Sequence, residues 1–204
     1  MFLTRLVLDP RSAQARRDLS SPYDLHRTLV RAFVRDAEQT PPRFLWRLEA
    51  GGAWDAPVVL VQAQAEPDWS ALTALPSYLK GAPETKHVDV ERFVQAGGRY
   101  RFRLLANPTV TREGKRYGLA TETAQLDWLG RQGTRLGFAV ESVLVTSSDL
   151  LETRKRDMCI SLQRACYEGM LRPNDVSLLA GALQSGIGPG KAFGCGLLSL
   201  ARIG

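Results

Sequence analysis

Residues near the N-terminus have the types and spacing needed for acid–base chemistry on an anionic substrate. The stretch SSPYDLHRTLVRAF, residues 20–33, places Tyr23 and His26 one helical turn apart, with Arg27 and Arg31 close by. Residues three and four apart share a helix face. A histidine can transfer protons near neutral pH, and an arginine can stabilise charge that develops on a phosphate. An ordinary histidine at the border of a core would fit the same pattern.

A second candidate is the glycine-rich segment GIGPGKAFGCG, residues 186–196, which precedes the last predicted strand. It is not a Walker A loop, because Ser185 stands where the first glycine belongs and Ala192 where Ser or Thr belongs. No G-x-G-x-x-G register fits either. Two interpretations stay open. The segment is a tight turn after a helix, or its amides and Lys191 approach a nucleic-acid backbone.

A third candidate is a run of basic residues at a predicted hairpin tip, Arg154, Lys155 and Arg156. Such a run is compatible with a simply solvated tip, and also with a basic ribbon that lies against a nucleic-acid groove. The chain has 27 Lys and Arg residues against 21 Asp and Glu residues, a net charge of +6. This balance favours a polyanionic partner.

The composition of the chain limits the number of domains and the kinds of functional site that we expect. The 204 residues can form one large domain or two small ones. No apolar run approaches the roughly 18 residues of a membrane span, and no signal peptide is evident, so we expect a cytoplasmic protein that does not bind membranes. Three cysteines without a CxxC pair predict neither a disulfide framework nor a zinc site. With no metal-ligand motif and no cofactor motif, an enzyme acting on nucleic acid would use the 2′-hydroxyl of RNA as nucleophile.

The predicted helices and strands that position these residues follow the order β-α-β-β-α-β twice along the chain. This order is the ferredoxin-like arrangement. The first set comprises strand 2–9, helix 21–38, strands 44–50 and 57–65, helix 66–79 and strand 99–108. The second comprises strand 115–120, helix 121–137, strands 138–152 and 157–167, helix 174–184 and strand 196–203. We therefore predict an α+β chain of two tandem ferredoxin-like domains, residues 1–111 and 112–204.

Several segments occur in the order found in one known family: RRDLSSPYDLHRTLVRAF, FLWRLE, PVVLVQ, EPDWS, RFRLLANPT and GIGPGKAFGCGLLSL. On these segments the chain resembles the CasE family. Members of that family are the CRISPR-associated endoribonucleases that process precursor CRISPR RNA in type I-E (Cascade) systems. The resemblance extends over nearly the whole chain.

The resemblance implies two RAMP domains of ferredoxin-like fold and metal-independent cleavage at the 3′ side of the repeat stem-loop, without a cofactor. The products would be a 2′,3′-cyclic phosphate and a 5′-hydroxyl. The implied partners are the CRISPR repeat RNA and other Cascade subunits, and the isolated protein would be a monomer. By the same resemblance Tyr23 and His26 form the catalytic pair, and the basic third position falls on Arg31.

The resemblance also assigns RNA contacts. They fall on the basic tip, and on Gly188, Gly190 and Lys191 of the glycine-rich segment. Arg27 is a further RNA-binding candidate, and either Arg27 or Arg31 would steady the phosphate. The order of proton transfer stays open, with His26 favoured as the acid because an imidazolium donates protons more readily than a phenol. A non-catalytic RNA-binding scaffold is the alternative, although a pure binder would not need the Tyr23–His26 pair.

Overall fold

The computed structural model describes residues 1–34, 36, 39–49, 51–52, 55–155 and 158–203, with only the backbone at residues 154, 155 and 158. These residues form two compact units. The first unit is Met1–Val88 with Ala192–Gly194, and the second is Asp89–Lys191 with Cys195–Gly204. Part of the glycine-rich segment therefore belongs to the first unit.

The first unit is a four-stranded antiparallel sheet with helices. Its elements are β1 (Phe2–Val7), α1 (Ala13–Ser20), α2 (Pro22–Val30), β2 (Phe44–Leu48), β3 (Val58–Ala63), α3 (Ser70–Thr73) and β4 (Glu84–His87). The strand order is β2-β3-β1-β4. With α1 left aside, the sequence β1-α2-β2-β3-α3-β4 is ferredoxin-like.

Helix α2 begins where the sequence signals a start. The Ser21 side chain accepts a hydrogen bond from the Asp24 amide, and Pro22 occupies the first helical position. Leu25 and Leu29 are buried on one side of the helix, in a core that includes Leu6 and Leu8. The apolar stripe thus fixes how α2 lies on the sheet and leaves its other side for chemistry.

The second unit has the same basic plan with one insertion. Its elements are α4 (Val90–Phe93), β5 (Tyr100–Ala106), β6 (Thr109–Arg112), β7 (Lys115–Gly118), α5 (Glu122–Leu136), β8 (Phe138–Lys155), β9 (Met158–Pro173), α6 (Val176–Ser185) and β10 (Leu198–Arg202). The sheet order is β10-β5-β9-β8, while β6 and β7 form a separate hairpin. The path β5-α5-β8-β9-α6-β10 is again ferredoxin-like, and the predicted α+β fold of two such units is confirmed.

The two units divide between Val88 and Asp89, not at the predicted boundary between residues 111 and 112. The reason is that β5 pairs with β9 and β10, so the predicted strand 99–108 belongs to the second sheet. The last strand of the first sheet is β4, which pairs with β1. All four β4 residues are exposed and polar or charged, so β4 has no apolar alternation by which to predict it.

Other predicted bounds also change. The helix predicted over 21–38 ends at Val30, and that over 66–79 is only one turn, α3. The predicted strand 115–120 is half of the β6–β7 hairpin. Helices α1 and α4 were not predicted, since neither has a long apolar period.

Among the described residues, no helix is both long enough and apolar enough to cross a membrane.

Candidate active site

Helix α2 and its C-cap residue provide the four candidate residues for phosphate chemistry in the first unit. Tyr23 and His26 are both half-buried, and Arg27 is exposed. Arg31, also exposed, caps the C-terminal end of the helix. Because Tyr23 and His26 are three residues apart in one helix, their side chains lie on the same side. Neither is sealed in the core, so both side chains are partly accessible to solvent.

His26 is held by two aromatic residues of β2. The indole Nε1 of Trp46 donates a hydrogen bond to His26 Nδ1 over 3.2 Å. The ring of Phe44 stacks on the imidazole with centroids 4.9 Å apart and planes 17° apart. Phe44 and Trp46 reach the same side of the sheet because alternate residues of a strand do. The two contacts fix both the plane of the imidazole and its rotation.

The Trp46 hydrogen bond also determines the tautomer of His26. An indole nitrogen can only donate, so Nδ1 must be the acceptor and carries no proton. In a neutral imidazole the proton is then on Nε2. The ring nitrogen that Trp46 does not contact is therefore a hydrogen-bond donor.

Gly194 supports Trp46 from the glycine-rich segment. Its φ is +81°, and a Cβ added there would lie 3.0 and 3.1 Å from two carbons of the Trp46 ring. Trp46 is itself only 2% exposed. A side chain at position 194 would be strained in this backbone conformation and would push on the indole. The glycine thus permits the close packing that keeps the indole N–H directed at His26.

The two arginines of α2 differ in their surroundings. The guanidinium of Arg27 lies 6.0 Å from the centroid of the Tyr23 ring, and its Nη1 is 3.6 Å from Oδ1 of Asp24. Arg31 lines a groove of about 720 Å³ whose other lining residues include Asp36, Asp68 and Ser70. Both arginines are exposed, so a phosphate can contact either without desolvating a buried charge.

The remaining predicted RNA contacts lie in the second unit. Gly188 and Gly190 have φ values of +76° and +81°, and Lys191 Nζ donates to the Gly188 carbonyl over 2.8 Å. These contacts give the segment an internal structural role, while its RNA contact stays a prediction. Arg154 and Lys155 lie at the end of β8, and Arg156 lies outside the described residues.

The cysteines do not provide a nucleophile in the core. Burial raises the pKa of the Cys195 thiol to about 12, so it stays protonated at neutral pH. Cys166 is half-buried and Cys159 is exposed. Within the described ranges, no three His, Cys, Asp or Glu side chains cluster as metal ligands would.

Comparison with known proteins gives the family. The profile of the CRISPR associated protein family matches residues 1–202. The "CRISPR-associated endoribonuclease Cse3" of Thermus thermophilus is 39% identical over 98% of this chain and 100% of its own length. The chain belongs to this family. The "CRISPR system Cascade subunit CasE" of Escherichia coli, a second family member, is 33% identical over the full length of both chains.

A solved member of the family has the same fold and carries RNA. It is Thermus thermophilus Cse3 bound to an RNA that represents a pre-cleavage complex. Its TM-score is 0.86 at 40% identity, over 98% of each chain. The resemblance to the CasE family is thereby confirmed, and the roles assigned to individual residues stay predictions.

Three residues of the site were not predicted from the sequence: Phe44, Trp46 and Gly194. The alternation in FLWRL does indicate that Phe44 and Trp46 share a side of a strand. It does not indicate that this side faces His26, because that depends on how α2 packs on the sheet. In the sequence, Gly194 is only one of several glycines in the segment.

Proposed function

We propose that this chain is a metal-independent endoribonuclease. It cleaves precursor CRISPR RNA at the 3′ side of the repeat stem-loop, stays on its product and joins other Cascade subunits. The observation that carries the proposal is His26, half-exposed and oriented by Trp46, one turn from Tyr23 in a chain of the CasE family. An RNA-binding scaffold would have no need for a half-exposed histidine one helical turn from a tyrosine.

The reaction uses the RNA's own hydroxyl. The 2′-oxygen before the cleavage site attacks the adjacent phosphorus as its proton passes to one member of the Tyr23–His26 pair. The bond from phosphorus to the 5′-oxygen breaks, and the other member protonates that oxygen. The products are a 2′,3′-cyclic phosphate and a 5′-hydroxyl. Both are formed without water or metal as a reactant.

The arginines of α2 stabilise the charge that the phosphate gains. Arg31 is the predicted third catalytic residue and Arg27 the predicted RNA contact beside Tyr23. A guanidinium suits this task because its planar fork matches two phosphate oxygens at once. Additional charge on the pentacoordinate phosphate strengthens these contacts in the transition state, which is what lowers the barrier.

Replacement of His26 is the first test. In EDTA, the wild-type protein should cut a repeat-length RNA once, and His26→Ala should lower the rate of cleavage of bound RNA by about 10²–10⁴-fold. Binding of the stem-loop should survive, because the basic surfaces are unchanged. Single-turnover cleavage and a filter-binding assay measure the two properties separately.

His87→Ala is the matched control, since His87 is the other histidine of the chain and is exposed. It should cleave like the wild type. Undiminished cutting by His26→Ala would contradict the assignment of the site. Wild-type cutting that disappears in EDTA would contradict the metal-independent reaction, and binding without any cutting would indicate a scaffold.

A further inference from the structure

The hydrogen bond between Trp46 and His26 exists in only one of the three ring states of histidine. In the neutral state with the proton on Nε2, Nδ1 is an acceptor and the bond forms. In the other neutral tautomer, and in the imidazolium, Nδ1 carries a proton. The indole N–H and the ring N–H would then point two donors at each other. The bond is therefore absent from both of these states.

Proton transfer by His26 requires the states in which the bond is absent. A base acting through Nε2 needs that nitrogen unprotonated, which is the tautomer with the proton on Nδ1. An acid acting through Nε2 starts from the imidazolium and ends in the same tautomer. A base acting through Nδ1 must take its lone pair away from Trp46. Whichever role His26 has, it cannot complete a proton transfer while Trp46 donates to Nδ1.

We propose that Trp46 is a positioning residue that holds His26 in a resting state, and that bound RNA breaks the Trp46–His26 hydrogen bond before cleavage. The inference rests on the proposed function, since it concerns the proton transfers of that reaction. Before RNA binds, Trp46 sets the orientation and the tautomer of the His26 ring. Bound RNA then releases the ring from this hydrogen bond.

The packing indicates which partner moves. Trp46 is 2% exposed and is packed against Gly194, so the indole is fixed. His26 is half-exposed. Stacking on Phe44 fixes only the plane of the imidazole, so once the Trp46 hydrogen bond is broken the ring can rotate within that plane. Among the described residues that contact His26, Phe44 and Trp46 carry no charge, while Asp24 and Arg27 lie within one turn of it on α2. A phosphate brought to α2 is thus a new charge that favours a protonated ring.

The wild-type protein itself provides the first measurement. With ¹⁵N-labelled histidine and tryptophan, NMR of the free protein should show His26 protonated on Nε2 only and a hydrogen-bonded Trp46 indole N–H. Added repeat RNA with hydrogen in place of the reacting 2′-hydroxyl binds but cannot be cut. It should shift the Trp46 signal to that of an indole N–H without a histidine acceptor. A Trp46 signal that stays unchanged on saturation with this RNA would overturn the proposal.

Trp46→Phe provides the second measurement, because phenylalanine keeps an aromatic ring on β2 and removes the N–H donor together with part of the larger indole. Its single-turnover rate on bound RNA should rise by about two- to tenfold, the factor that corresponds to the net free energy of one hydrogen bond. Trp69→Phe is the matched control: Trp69 lies in the same unit and donates to Thr85 instead. Its rate should stay at the wild-type value. A Trp46→Phe rate at or below wild type would refute the resting-state role.

The two proposals fail in different ways. A wild-type protein that cuts no repeat RNA would refute the proposed function, while the free-protein spectrum would still report the His26 tautomer. A protein that cuts RNA but shows His26 protonated on Nδ1 in the free state would refute the role of Trp46 alone.

Discussion

His26 shows how a reactive side chain depends on residues that are distant in sequence. Trp46 is twenty positions away and supplies the hydrogen bond, and Gly194 leaves the space in which the indole lies. The spacing of Tyr23 and His26 could be predicted because both belong to one helix with a clear N-cap. The aromatic support could not, since no local pattern specifies which helix residue a strand residue will meet.

The contact between Gly194 and Trp46 leads to a prediction about stability. Gly194→Ala should destabilise the protein by the penalty of a left-handed backbone, about 1–2 kcal/mol, and by a further 1–3 kcal/mol or so for overpacking against the indole. Urea unfolding followed by circular dichroism measures the total. The same substitution at Gly97 is the control, because its φ is +75° and nothing lies within 4 Å of an added Cβ. Equal destabilisation at the two positions would show that the indole yields to the methyl group without cost.

At the scale of elements, the longest feature is the antiparallel ribbon of β8 and β9. The two strands pair from Phe138 with Pro173 to Lys155 with Met158, with irregularities in register near Val140 and Val145. Arg164 and Asp149 form an ion pair across it, Nη2 to Oδ2, at 2.6 Å. Arg154 and Lys155, at the end of β8, belong to the basic run that the resemblance assigns to the RNA stem.

The basic end of the ribbon should contribute to affinity but not to chemistry. Replacing Arg154, Lys155 and Arg156 with glutamine should weaken stem-loop binding and reduce the slope of log Kd against log salt, by about 0.7–0.9 for each RNA phosphate that the variant no longer neutralises. Cleavage of RNA at saturating protein should keep its rate, because the α2 site is unchanged. Titrations between 50 and 300 mM salt, about the usual range for such measurements, provide the slope.

The β6–β7 hairpin offers a control of identical composition, Arg112, Lys115 and Arg116, all exposed in the same unit. Glutamine at these three positions removes the same charge. If both triple variants bind RNA equally weakly, net charge accounts for the effect and the ribbon has no particular part in recognition.

At the scale of the whole molecule, the fold class follows from element order, whereas the division of the chain does not. Helix α5 begins and ends within one residue of the predicted 121–137, because Thr121 caps its start and Gly137 its end. The strand RYRFRLLA has a clear alternation, but alternation does not reveal which sheet a strand joins. Since β4 gives no signal in the sequence, the prediction completes the first sheet with β5 and places the boundary after residue 111.

Buried phenols and a buried thiol make the free energy of unfolding fall as the pH rises through the alkaline range. Burial raises the pKa of Tyr78, with a further rise from its hydrogen bond to Asp18, and burial raises the pKa of Tyr167. Unfolded tyrosine ionises near pH 10 and cysteine near 9. The folded state therefore holds protons that the unfolded state releases. The stabilisation is complete below pH 9 and declines as pH rises, by about 1.4 kcal/mol per pH unit for each group beyond its unfolded pKa.

Urea unfolding at several values between pH 8 and pH 11.5, roughly the span over which unfolded thiols and phenols ionise, tests this dependence. Above pH 10, Tyr167→Phe should reduce the slope of the unfolding free energy against pH by the contribution of one ionising group. The control is Tyr117→Phe, since Tyr117 is 50% exposed and should leave the slope unchanged. A slope that Tyr167→Phe does not alter would mean that this phenol ionises in the folded protein as readily as in the unfolded chain.

In the proposed reaction the RNA's own ribose oxygen severs the strand, and residues of α2 move the protons. The most direct measurement uses two repeat RNAs that differ only in the 2′-hydroxyl before the cleavage site, cut in EDTA by the wild-type protein, with the product ends mapped by mass. We predict one cut at the 3′ side of the stem, a 2′,3′-cyclic phosphate and a 5′-hydroxyl, and no cut in the RNA that has hydrogen at that position. Cleavage of that second RNA, or a 5′-phosphate on the product, would contradict the account.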